Sequence, residues 1–391
     1  MNRTTVARVL AVIVASLSIS VLFWPNSAPE EAAATTTTLL VNSSVPWVDR
    51  TTPVNDEFEP SEWERRVAVL EEWVVENRGL QFISPPRLEF QDQDSVLELS
   101  ESIYAAIDLS SYDLATPLFG PQDASSGIDW SVLYLHAPLV IQTELTEIVT
   151  SEYLIPRLVA ELTEQHHGYR EDLVRLLESG LVGDQYEALA TLVIGDAFFV
   201  GSGYGFYLAT GIDWEPDSGC MQAFLVLFRS AFDAGTAYVC SLYAEGGWEA
   251  VDAAYADPPE STAEILGIAC EPPADAAMTP LPRWPVLFYA QRGPIWFNAT
   301  LGPTLGDISS ISGWCADHQR VVGTDSARIL IMDIWLGTPD DAEIIETETI
   351  DHFLTMEDPD LDALVVRDGT WVGIAVTRSD VDLCAELPGW C

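Results

Sequence analysis

The chain contains no lysine. Its 391 residues carry 17 basic side chains, all of them arginine, against 61 acids, for a formal net charge of −44. A surface that acidic repels phosphate backbones and anionic headgroups, which excludes nucleic acid as a partner. Histidine is scarce, with five in all, and no two cysteines stand at the CxxC spacing of a zinc or thiol-redox motif. No Ser/His/Asp or Cys/His arrangement for nucleophilic catalysis can be assembled from the sequence. What the chain does have is apolar content: 48% of residues, with a mean hydropathy of +0.15. That excludes a wholly disordered chain and suffices for two domains with cores.

Arg3 and Arg8 precede an apolar run from Val9 to Trp24 that Pro25 ends. Positive charge followed by such a run marks residues 1–26 as a signal peptide or a transmembrane anchor, so the remainder is expected outside the cytoplasm, secreted or membrane-anchored by this single segment. Residues 27–60 are rich in Pro, Ala, Thr, Ser and acids, the composition of a flexible linker. All six cysteines (Cys220, Cys240, Cys270, Cys315, Cys384, Cys391) lie beyond it. An oxidising compartment and up to three disulfides are expected, with connectivity left open.

Order is expected from Ser61, where Ser61 and Glu64 read as a capping box. Trp63, Val67, Leu70, Trp73, Val74 and Asn77 then recur at helical spacing until Gly79. After a short strand near 87–90, helical patterns dominate over 156–165, 171–177, 184–199, 221–228 and 234–243. Residues 202–206 (SGYGF) read as a flexible loop. Beyond Pro272 the composition turns β-branched and aromatic at 283–289 and 328–335. Thr338 with Pro339 starts one helix, and Asp368-Gly369 reads as a two-residue hairpin turn. The expected class is α+β: a mainly helical domain over 61–274 followed by a small α+β domain over 275–391.

Five segments carry a resemblance: ENRGLQFISPPRLEF (76–90), LVAELTEQHHGYREDL (158–173), LVIGDAFF (192–199), AGTAYVCSLYAEGGWEAVDAAYADPPESTAEIL (234–266) and ILIMDIWLGTPDDAEI (329–344). In this order they resemble the secreted or membrane-anchored bacterial neutral zinc metallopeptidases of the gluzincin type. That family carries HExxH on one helix and EGDA on a later one. HExxH sets two imidazoles one helical turn apart to bind Zn²⁺ while its Glu activates a water, and the Glu of EGDA is the third ligand. Aligned without a gap, the two histidines fall on Ala160 and Glu164, the general base on Glu161, and the third ligand on Ile194. Methyl and branched alkyl groups have no lone pair, so the resemblance implies a degenerate homologue whose zinc ligands are lost. It also implies that the helix bearing Ala160 and Glu164 crosses the one bearing Ile194.

The expected function follows: a catalytically silent metallopeptidase-like protein, a binding or regulatory module of the cell envelope. Its partner would be a protein or peptide in that envelope, with the membrane reached only through the N-terminal segment and no cofactor required. Two alternatives stand beside it. One is an active zinc peptidase with a relocated site built from Glu161, Glu164, His167 and Asp196, with His166 or His136 as further donors. The other is a purely structural envelope module. Asp358, Asp360 and Asp362 imitate the start of a calcium loop, but Ala363 stands where the turn Gly belongs and Gly369 where the closing Glu belongs, so a solvated acidic loop is expected. The sequons at Asn42 and Asn298 are acceptors only where glycosylation machinery exists.

Overall fold

The computed structural model describes residues 60–86, 88–91, 139–142, 151–178, 183–211, 213–216, 231–268, 284–291, 313–324, 327–356, 361–378 and 380–391, with a few isolated positions. The N-terminal apolar run, the linker up to residue 59, Cys220, Cys270, His136, Asp358, Asp360 and both sequons lie outside these residues. Helices and an antiparallel sheet together make the fold α+β.

Helix α1 (Pro60–Arg78) buries Val67, Leu70 and Val74 along one stripe and stops at Gly79, whose φ of 78° favours a residue without a Cβ. The helix opens at Pro60, so Ser61 is a first-turn residue and not the expected N-cap. Strands β1 (Leu88–Gln91) and β2 (Leu139–Gln142) form a parallel pair. Helix α2 (Ser151–His167) and α3 (Tyr169–Glu178) are separated by Gly168, again left-handed at φ 67°.

Helix α4 (Asp184–Thr210) is the axis of the helical part. One side packs Ala197, Val200 and Tyr204 with α1 and α2. Another packs Leu189, Leu192, Val193, Ile194 and Phe199 with Tyr169, Leu173 and the later residues Val239, Cys240 and Val251. Apolar on most sides, it is long enough to cross a membrane over Asp184–Tyr207, yet most of that stretch is buried in the protein. Residues 202–206, expected as a loop, are its last turns. One of the two glycines that suggested a loop serves close packing instead: a Cβ at Gly203 would come within 2.2 Å of the Trp214 ring, while Gly205 faces open space.

Helix α5 (Ala231–Ala256) crosses α4 where Gly195 faces Gly235, and a Cβ on either would lie 2.2 Å from the other helix's backbone. A comparable notch seats proline, since the ring of Pro156, interior to α2, sits against Gly201. Helix α5 is broken at Gly246 and Gly247, and the φ of 65° with ψ of −157° at Gly247 is open only to glycine. A single turn, α6 (Thr262–Ile265), follows, capped by Ser261 and tied by two hydrogen bonds from Thr262 to Asp184 at the start of α4.

The second part is a five-stranded antiparallel sheet of β3 (Val286–Ala290), β4 (Trp314–Thr324), β5 (Ala327–Leu336), β6 (Asp362–Asp368) and β7 (Trp371–Thr377), in the order β3-β4-β5-β7-β6. Helix α7 (Pro339–Thr355), N-capped by Thr338, covers one face through Ala342 and Ile345. The other face, with Val322, Ile329, Ile331 and Ala375, is closed by Leu383 and Leu387 of residues 380–391, which include the single turn α8 (Leu383–Glu386). The β6–β7 turn is Gly369-Thr370, one residue later than expected, because Asp368 pairs with Trp371. Asp362 is thereby an exposed strand residue.

Cys384 is bonded to Cys391, with Cα atoms 5.6 Å apart. Cys240 and Cys315 are also disulfide-bonded, and among the described residues no cysteine is free, which fits an oxidising compartment.

The glycines of α4 give a test with opposite signs on one helix. Gly195→Ala should destabilise by about 1–3 kcal/mol through overpacking against α5. Gly205→Ala, where nothing lies within 4 Å of the added methyl, should stabilise by roughly 0.5–1 kcal/mol. Urea unfolding of the two variants checks both.

Candidate functional site

The residues singled out by sequence lie where α2 meets α4 and the second half of α5. Thr163 on α2 donates to Asp196 on α4 at 3.3 Å, and Ile194 packs in the cluster that holds Tyr169 and Leu173. Ala160 and Ile194 are 2% and 4% exposed. At Ala160 the only polar atoms are those of the backbone, and its carbonyl accepts the Tyr169 hydroxyl at 3.2 Å.

The three carboxylates of the relocated site are divided between two arginines, and its imidazole lies against Asp252. Arg170, at the start of α3, places Nη1 3.1 Å from Glu161 and donates its backbone N–H to Glu164 at 2.8 Å. Burial pushes the Glu164 carboxyl above its ordinary pKa, with the Arg170 amide and guanidinium pulling the other way. Gln165 is close to Glu161 as well, at 3.4 Å.

Arg78, the last residue of α1, is fully buried. Its Nε donates to both oxygens of Asp196, at 2.9 and 3.0 Å, and its Nη2 to Asp252 of α5 at 2.6 Å. Its guanidinium lies 4.4 Å over the ring of Trp248, the residue that follows the glycine break of α5. Asp196, itself fully buried, also accepts from Tyr255 at 3.1 Å. Among the described residues Nη1 of Arg78 has no hydrogen-bond partner. Burial by itself would lower the Arg78 pKa, but Asp196 and Asp252 outweigh it and raise it, so the guanidinium stays charged.

The two histidines at the end of α2 face different neighbours. His166 Nε2 meets the Gln81 carbonyl at 2.7 Å. His167 Nε2 lies 3.3 Å from Asp252, with its ring stacked on Tyr255 at 4.6 Å. Gln165 completes the edge: its side-chain oxygen accepts from the Ile83 and Ser84 amides, and its nitrogen donates to the Ser84 carbonyl. His167 is thus a neighbour of Asp252 and Arg78, not the partner of Glu164 that its position in sequence suggests.

Of the positions that the resemblance names, Ala160 and Ile194 offer no side-chain donor to zinc; Glu161, Glu164 and Asp196 each bond an arginine, and among the described residues no group of three or more His, Cys, Asp or Glu side chains is arranged to hold a metal ion. Arg78, Arg170, Asp252 and Tyr255 escaped the sequence reading. One signal was available: Arg78 continues the stripe of Val67, Leu70 and Val74, four residues beyond the last. Comparison with protein-family models, with curated proteins and with solved structures returns no match.

Asp252 supplies a pH test. Burial alone would raise its pKa, but the hydrogen bond from His167 and the charge of Arg78 lower it below the ordinary carboxylate value. A folded pKa below the unfolded one stabilises at neutral pH, and that stability drains away as pH falls through the depressed value. Asp252→Asn should therefore lower stability at pH 7 and flatten the acid limb, as read by melting midpoints between pH 7 and pH 3. Asp196→Asn should cost more, about 3–5 kcal/mol, because it leaves Arg78 charged in the core.

Proposed function

We propose that the chain is a catalytically silent, metallopeptidase-like extracytoplasmic protein that acts by binding, as a recognition or regulatory module of the cell envelope. The observation that carries this reading is that arginines bond the carboxylates around the positions where the resemblance expects a metal. Two positions where ligands are expected are buried hydrocarbon, Ala160 and Ile194, and the carboxylates around them are neutralised by Arg170 and Arg78. A guanidinium is a fixed cation with no open coordination position, so it offers neither a bound water of lowered pKa nor a Lewis acid. Glu161, the residue aligned with the general base, is held by Arg170.

The partner in this reading is a protein or peptide. The chain's surface charge disfavours anionic macromolecules, and the C-terminal end of α2 already shows main-chain recognition: the Gln165 amide pairs with the backbone of Ile83 and Ser84 as a peptide would. The N-terminal apolar segment supplies membrane attachment or export.

The full chain should purify without stoichiometric zinc and melt at the same temperature with and without a chelator. It should not cleave casein-type substrates above background, and Glu161→Gln should change neither result. One zinc per chain with a chelator-dependent midpoint, or peptidase activity abolished by Glu161→Gln, would instead establish the relocated-site enzyme.

A further inference from the structure

Residues 380–391 lie as a strap across the face of the sheet opposite α7. Leu383 and Leu387, each 2% exposed, insert among Val322, Ile329, Ile331 and Ala375. Glu386 accepts the indole N–H of Trp284 at 2.8 Å. Trp390 meets Trp371 edge-on at 5.3 Å and lies against Gly373 of β7, where a Cβ would come within 2.5 Å of its ring. The strap's regular structure is one helical turn, α8, capped by Asp382. A single turn fixes too few hydrogen bonds to hold itself in water. Its shape therefore depends on what it packs against and on the Cys384–Cys391 bridge, which closes the strap over the buried Leu387.

The accessibility of that bridge sets it apart. Cys384 and Cys391 are both exposed, whereas the other disulfide-bonded cysteines among the described residues, Cys240 and Cys315, are fully buried and half-buried respectively. Thiol–disulfide exchange requires in-line approach of a thiolate to sulfur, so access decides which bridge reacts first. Asp380, Asp382 and Glu386 on the same strap favour a reductant of low negative charge.

We propose that Cys384–Cys391 is a redox-sensitive latch that holds Trp390 over Gly373, opened by a dithiol reductant while the less accessible disulfide bonds of Cys240 and Cys315 stay closed. One thiolate of the dithiol attacks a sulfur of the bridge, the mixed disulfide forms, and the other cysteine leaves as a thiolate that takes up a proton. The second thiol of the reductant then resolves the mixed disulfide. Two electrons and two protons pass to Cys384 and Cys391, and the reductant departs as its own disulfide. With the ring open, nothing covalent holds Trp390 in the glycine notch, and Trp371 and Gly373 become open to solvent or a partner.

The test treats the folded full chain with dithiothreitol in native buffer, alkylates free thiols with iodoacetamide and maps the modified peptides. Labels on Cys384 and Cys391 alone, unchanged far-ultraviolet dichroism and increased acrylamide quenching of tryptophan fluorescence are expected. With 13 tryptophans in the chain, the assignment comes from Trp390→Phe, in which the redox-dependent change in quenching should vanish. The Cys384→Ser/Cys391→Ser variant should show the quenching of the reduced protein without any reductant. Labelling of Cys240 or Cys315 together with Cys384 and Cys391, or a serine variant that quenches like the oxidised protein, would overturn the latch.

Discussion

A charged pair in the core, Arg78 with Asp196, is the constraint around which the helical part is arranged. It joins the end of α1 to the middle of α4, and through Asp252 and Tyr255 it brings in the second half of α5. Against an apolar isostere of the same volume, such a pair adds little net stability. Its force lies in what it forbids: a packing that draws α1 away from α4 strands a bare charge among Val74, Tyr169 and Trp248. The glycine contacts follow from the same demand. Arg78 reaches both Asp196 and Asp252 only if α4 and α5 lie close together, and Gly195 against Gly235 is what allows that approach.

Much of the fold was legible in the sequence, because most elements carry a periodic stripe with a stop signal. Gly79 ends a helix as expected, and Thr338-Pro339 starts one. Strand β4 was not legible. Its run Asp317, His318, Gln319, Arg320 looks like solvated polar surface, yet Arg320 pairs with Asp333 across to β5 and His318 hydrogen-bonds Tyr289 of β3. Polarity satisfied by a neighbouring strand is invisible to any one-strand pattern. Burial pushes the His318 imidazole below its ordinary pKa, favouring a neutral ring in this setting. Residues 202–206 misled for the opposite reason, since glycine signals freedom in a loop and close approach in a helix.

The site was legible in part. Ala160, Glu161, Glu164 and Ile194 were singled out through the resemblance and Asp196 as a further donor, but the cations that complete the arrangement were not. Arg78 stands beside a glycine at a helix C-terminus, where a basic residue reads as favouring the helix dipole, and Arg170 stands in the first turn of α3, where that pattern does not explain it. Their partners are 118, 174 and 9 residues away, and only the last distance falls within reach of a local pattern. On the proposed reading, exchange of a metal for arginine also changes what controls the site. A zinc centre responds to metal supply and chelators, whereas a guanidinium is supplied with the chain and stays charged across physiological pH.

The separation between Arg78 and Asp252 also bears on the order of assembly. Their hydrogen bond spans 174 residues. At a synthesis rate of roughly 5–20 residues per second, Arg78 emerges about ten to thirty-five seconds before Asp252. Through that interval α1 can coil, but it has no way to bury its last residue, because a lone guanidinium must remain hydrated. Closure of the helical part therefore waits for α5, and its rate is governed by a search between distant segments, not by the speed with which individual helices form. Until α5 arrives, α1 stays loose at its C-terminal end.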